Sequence, residues 1–183
     1  TSTLSRDDQQ IIDACVEYEK YPALTPPPLK KIEQFFSIIQ DYPWDHNQEQ
    51  LPLDLPENQA LAFNKIAAAT TGRLTQKSLN LEACNIVSMP HLLQEYVQQL
   101  KELNLAYNRL LDTSSLTAFK KLVRLSLQGN PITDVRSLAS LHHLEFLDLS
   151  GTGVQRVEPL KALPNLVHLY LYETIPAQPE HQE

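Results

Sequence analysis

The chain is poor in the features that announce a chemistry. Glycine is scarce, 4 in 183 residues against 13 prolines, so proline punctuates the chain. Basic residues are outnumbered, 15 Lys and Arg against 22 Asp and Glu, for a net charge of −7. That balance argues against a nucleic-acid binder, which needs a basic stripe. Two cysteines, Cys15 and Cys84, make no disulfide framework, which leaves the cytoplasm as the default compartment. No apolar run approaches the length of a membrane span, so no membrane association is expected. The opening TSTLSRDDQQ has no basic segment leading into an apolar stretch, so no signal peptide is expected there. The histidines at 46, 91, 142, 143, 168 and 181 fall neither in HExxH nor beside cysteine at metal-ligand spacing. No metal, cofactor or catalytic residue is expected.

What the chain does have is a repeat. Five segments align on their leucines: QKSLNLEACNI from Gln76, LKELNLAYNRL from Leu100, LVRLSLQGNPI from Leu122, LEFLDLSGTGV from Leu144 and LVHLYLYETIP from Leu166. The spacing is 24 residues once and 22 thereafter. In LxL the two leucines lie on the same side of a strand, because side chains alternate. Asn108 and Asn130 follow at a fixed offset, where a side-chain amide can satisfy backbone groups that a turn would otherwise bury unpaired. The second halves carry apolar residues every third position (Ile132, Val135, Leu138, Leu141, Leu144), which suits a tight convex-side helical turn in which i and i+3 eclipse. One such coil cannot bury its apolar face alone, so stacking on neighbours is required.

This pattern resembles the leucine-rich repeat, LxxLxLxxN/CxL, in the 22-residue class of the internalins and several intracellular scaffold proteins. Cys84 stands where that family admits cysteine for asparagine; Thr152 and Thr174 depart from it. The resemblance implies an α/β solenoid: a right-handed leucine-rich repeat array of about five coils with parallel β-strands on the concave face, preceded by a small α-helical domain. Residues 73–176 are assigned to the repeats and 177–183 to a flexible tail.

Residues 1–72 read as an α-helical cap over the first coil. Ser5 is a good N-cap, with Asp7 and Asp8 in the first turn and an apolar face at Ile11, Ile12, Cys15, Val16 and Tyr18. A second helix has its stripe at Leu29, Ile32, Phe36 and Ile39. The segment WDHNQEQLPLDLPEN reads as a linker, and a third helix is expected over about 57–71. SMPHLLQEYVQQL is long enough for an α-helix on the convex side, which accounts for the spacing of 24. The C-terminal end, YETIPAQPEHQE, shows no dedicated cap; the tail folds over the last coil, a partner covers it, or the chain is cut short.

The residues flanking the strand leucines point to the concave face. One column is Ser78, Glu102, Arg124, Phe146, His168; the next Asn80, Asn104, Ser126, Asp148, Tyr170; the third Glu82, Ala106, Gln128, Ser150, Tyr172. The C-terminal half gathers Phe146, His168, Tyr170 and Tyr172 around Asp148, and exposed aromatics in one place are typical interface anchors. The candidate partner-binding residues are Phe146, Asp148, His168, Tyr170, Tyr172, Arg124 and Glu102. The competing reading has Tyr170 and Tyr172 packing on the tail as a makeshift cap. Cys15, on a helix's apolar face, reads as buried and inert. Gly151-Thr-Gly153 lacks the lysine of a phosphate loop and falls where the repeat turns.

The resulting expectation is a non-enzymatic recognition module binding a protein through its concave face, as a bacterial inhibitor or toxin immunity protein. Two alternatives stand beside it: an adaptor subunit, monomeric until capped by a partner or self-associating through its open C-terminal coil, and the substrate-recognition part of a larger enzyme or effector.

Overall fold

The computed structural model describes residues 4–41, 63, 77–96 and 99–173. Helix α1 spans Arg6–Lys20, opened by Ser5, whose Oγ accepts a hydrogen bond from the Asp8 N–H at 3.1 Å. Helix α2 spans Leu29–Asp41. Its buried residues, Ile32, Phe35, Phe36 and Ile39, follow the i, i+3, i+4, i+7 spacing of one helical face. Leu29, expected on that stripe, is 55% exposed. It is the first residue of the helix, and the stripe is covered only from Ile32 onward; Phe35 joins the buried face instead. Most of the expected third helix lies outside the described residues, as do the linker and the tail. Phe63 is helical and fully buried, its ring 6.0 Å from Phe35 and 5.9 Å from Phe36.

Five three-residue strands form one parallel sheet in sequence order. They are β1 Ser78–Asn80, β2 Glu102–Asn104, β3 Arg124–Ser126, β4 Phe146–Asp148 and β5 His168–Tyr170. Leu79, Leu103, Leu125, Leu147 and Leu169 stand opposite one another along the sheet, in the register the leucine spacing predicts. Backbone pairing runs past the strands: the Leu105 N–H donates to the Ser126 carbonyl and the Tyr107 N–H to the Gln128 carbonyl. On the convex side the first coil carries α3, His91–Tyr96, and the next three carry 3-10 turns at Ser114–Leu116, Arg136–Ser140 and Glu158–Ala162. The two extra residues of the first repeat thus accompany an α-helix in place of a 3-10 turn.

One hydrophobic core runs without a break from Ile12 in α1 through α2 and the coil leucines to Leu163. Both α1 and α2 pack against α3, so the helices cover the first coil's end. A buried carboxylate fastens this joint: Glu19 of α1 accepts hydrogen bonds from the His91 and Leu92 N–H groups, each at 3.0 Å. It caps α3 from outside, satisfying donors that the first turn of any helix leaves free. Among the described residues no helix is long and apolar enough to cross a membrane.

The asparagine ladder works as the spacing implies. Asn108 Oδ1 accepts from the N–H groups of Cys84 and Ile86 in the preceding coil, at 2.9 and 3.0 Å, and its Nδ2 donates to the Leu81 and Leu105 carbonyls. Asn130 repeats this, accepting from Leu110 N–H at 3.1 Å and donating to the Leu105 and Leu127 carbonyls. Thr152, one coil on, is fully buried but bonds within its own coil, donating to the Leu149 carbonyl at 2.6 Å and accepting from Val154 N–H at 3.4 Å.

A second ladder passes unnoticed in the leucine pattern. The residue after the third concave column has a left-handed φ in every coil: Ala83 +56°, Tyr107 +58°, Gly129 +73°, Gly151 +69° and Glu173 +54°. Each coil turns sharply there. That backbone suits glycine, yet only two coils supply one.

Candidate functional site

The site is built on β3, β4, β5 and the turns that follow them. Phe146 and His168 stand side by side in register, as do Asp148 and Tyr170. The rings form a continuous ladder: Phe146 to Tyr170 at 5.2 Å, Phe146 to His168 at 6.4 Å, Tyr170 to Tyr172 at 6.0 Å and stacked. The Arg124 guanidinium lies 4.3 Å from the centre of the Phe146 ring, a cation–π contact. Phe146, Asp148 and Tyr170 are half-buried, Glu102, Arg124 and His168 exposed, and Tyr172 is 69% exposed.

Two hollows divide these residues. Phe146, Asp148, Tyr170 and Tyr172 line a cleft of about 500 Å³ together with Tyr107, Gly129, Gly151 and Glu173. Glu102 and Arg124 line a neighbouring groove of about 320 Å³ on the other side of Phe146, over the polar strands β1 and β2. His168 lines neither and stands at the β5 edge. The expected cluster is therefore one aromatic cleft and one polar groove sharing the Phe146 wall.

The third column is less open than its register suggests. Ala106 and Ser150 are buried, because small side chains lie below the level of their neighbours. The Ser150 hydroxyl accepts the Tyr172 N–H at 3.1 Å, and the Ser150 N–H donates to Asp148 Oδ1 at 2.9 Å, so both groups brace the turn under the cleft.

Tyr107 and Glu173 were missed by reading strands alone, since both belong to the left-handed turn position. Tyr107 is 54% exposed and its ring lies over Gly129. A Cβ at residue 129 would meet the ring's Cδ1 at 2.6 Å, so the glycine is what admits the tyrosine. The available signal was the glycine at the same offset in two consecutive repeats, which marks a positive-φ position in all of them.

Burial pushes the Cys15 thiol up to about 12, against a smaller opposing pull from Lys31, so the thiolate that a nucleophile needs is suppressed. Among the described residues no group of three or more His, Cys, Asp or Glu is placed to hold a metal ion.

The family model for leucine rich repeats, in two copies, matches residues 98–140, the second and third coils. No curated protein matches the chain in sequence. Among solved structures, an internalin (inlF) of Listeria monocytogenes is 28% identical, covering 56% of this chain and 30% of its own, with a TM-score of 0.49. Internalin C2 of the same organism is 25% identical over 65% of this chain and 60% of its own, with a TM-score of 0.47. The leucine-rich repeat domain of the type III effector XCV3220 (XopL) is 15% identical over 95% of this chain and 58% of its own, with a TM-score of 0.49. This chain thus spans between 30% and 60% of the length of these three structures.

Proposed function

We propose that this leucine-rich repeat protein works by recognition without catalysis, holding a protein partner on its concave face. Leucine-rich repeat arrays are in general protein-interaction modules with preformed curved surfaces. A rigid surface loses little freedom on binding, which favours affinity. The observation that carries the reading is the ladder of partly exposed rings, Phe146, Tyr170 and Tyr172, displayed where β4 and β5 pair in parallel register. Large amphipathic rings at one place are the residue types that dominate interface energetics. Glu102, Arg124 and His168 surround this anchor as a polar rim.

The narrower form of the proposal is a cytoplasmic inhibitor or toxin immunity protein. The net charge of −7 and two buried free cysteines, suited to a reducing compartment, support it. The experiment is affinity capture from native lysate with the full chain and with the Phe146→Ala/Tyr170→Ala double variant. Each substitution is expected to weaken the captured complex by roughly 2 kcal/mol or more while far-UV circular dichroism stays native. A variant that retains the same partner, or that unfolds, returns the rings to a structural role.

One observation favours a second reading, an adaptor that docks through its last coil. Leu144, Leu147 and Leu149 are fully buried, whereas Leu171 is 36% and Val167 73% exposed. Sedimentation velocity over a hundredfold concentration range checks this; a concentration-independent monomer removes self-association through β5.

A further inference from the structure

We propose that the aromatic cleft is a receptor for a cation, the arginine or lysine side chain of a protein partner. The inference rests on the recognition reading above and specifies its anchor. Four rings, Tyr107, Phe146, Tyr170 and Tyr172, wall the cleft, and among the described residues the charged side chains that line it are the carboxylates Asp148 and Glu173. Among the described residues no lysine, arginine or histidine enters the lining. Aromatic faces carry negative potential and draw cations, and arginine stacks on them with its planar guanidinium. The chain contains its own precedent, since Arg124 already rests on the Phe146 ring from the side of the neighbouring groove.

The carboxylates are placed for the same occupant. Asp148 is half-buried at the cleft floor; Oδ1 takes the Ser150 N–H and Oδ2 takes no hydrogen bond among the described residues. An incoming guanidinium could therefore meet a fixed oxygen without breaking an existing bond. Glu173 closes the far side from the left-handed turn position of the fifth coil, φ +54°, as Tyr107 closes the near side at +58°. Between them, at the same position of the third and fourth coils, stand Gly129 and Gly151. The cleft exists because two coils put glycine where their neighbours put large side chains. A negative chain with such a hollow complements a basic partner surface.

The test titrates the ¹⁵N-labelled full chain with acetyl-Gly-Arg-Gly-amide, its lysine counterpart, and the uncharged citrulline isostere. Saturable shifts of the Gly129, Gly151 and Tyr172 amides are expected with the two cationic peptides and not with citrulline. Asp148→Asn should weaken the arginine peptide about fivefold, because the one oxygen left is held by the Ser150 N–H and an NH2 donor replaces the accepting Oδ2; Glu173→Gln should add a smaller loss through its missing charge. Tyr172→Ala, at an exposed ring, should also weaken it and leave the fold intact. Equal shifts from citrulline, no saturable shift at these amides, or indifference to the Asp148 and Glu173 substitutions together would each overturn the proposal. If the peptides fail while the Phe146/Tyr170 double variant still loses its captured partner, recognition stands and only the cation site falls. If the peptides bind while that variant keeps its partner, the reverse holds.

Discussion

The second and third coils and the fourth and fifth are cut to one pattern and held by different means. In the former pair, asparagine amides bridge each coil to the one before it, and the strand leucines are fully or almost fully buried. In the latter, Thr152 bonds only within its own coil, and by the fifth coil Leu166 and Leu169 are only partly covered. The helix-capped end is closed by α1 and α2 and by Glu19 on α3; the other described end displays apolar edge and aromatic rings. The difference teaches where bonding between coils gives way to displayed side chains. The second and third coils are bonded to their neighbours by buried asparagine amides. The C-terminal coils depart from the repeat and present side chains such as Phe146, Tyr170 and Tyr172.

The largest test of this contrast is in the core. Leu125→Ala, at a fully buried position with a coil on each side, should cost about 4 kcal/mol in urea unfolding. Leu169→Ala, at a half-covered position, should cost under about 2 kcal/mol, since less contact and a smaller cavity are at stake. Equal losses would mean that the fifth coil is as tightly held as the third.

The polar ladder comes next. Asn130→Ala strips a partner from the buried Leu110 N–H and from the Leu105 carbonyl, at a cost of about 3 kcal/mol. Thr152→Ala removes one intra-coil hydroxyl contact and should cost about 1 kcal/mol. A Thr152→Ala loss as large as that of Asn130→Ala would show that threonine ties the coils together by other means.

The smallest effect separates the two glycines. Gly129→Ala meets both a left-handed φ and the Tyr107 ring, and should cost about 2 kcal/mol. Gly151→Ala meets the same φ but only ordinary contacts, 3.4 Å to the Gly129 nitrogen, and should cost about 1 kcal/mol. In a Tyr107→Ala background the Gly129 penalty should fall to that of Gly151, and calorimetric melting of the double variant reads this directly.

Much of the solenoid was legible because its physics is local and periodic. Leucine alternation sets which side of each strand is buried, and the offset from one leucine set to the next sets the pairing register, down to Leu103 opposite Leu125. Ser5 as an N-cap and the convex helix of the first coil follow from equally short-range signals. The candidate site was legible in part. Phe146, Asp148, Tyr170 and Tyr172 do line one cleft, but Glu102 and Arg124 face a different groove, and His168, whose ring lies beside Phe146 and Tyr170, lines neither. Tyr107 and Glu173 escaped because their role depends on turn backbone, which the strand pattern does not describe.

The sequence by itself determined the coil, its length and the face it buries, since those follow from the spacing of leucines along one turn of chain. Only the tertiary structure decided that Glu19 would cap a helix 72 residues away, and that Tyr107 would lie over Gly129 opposite Glu173. The reason is that such contacts arise between coils and across the cap. They depend on how far each turn projects and on what its neighbours leave empty, and no period in the chain encodes either.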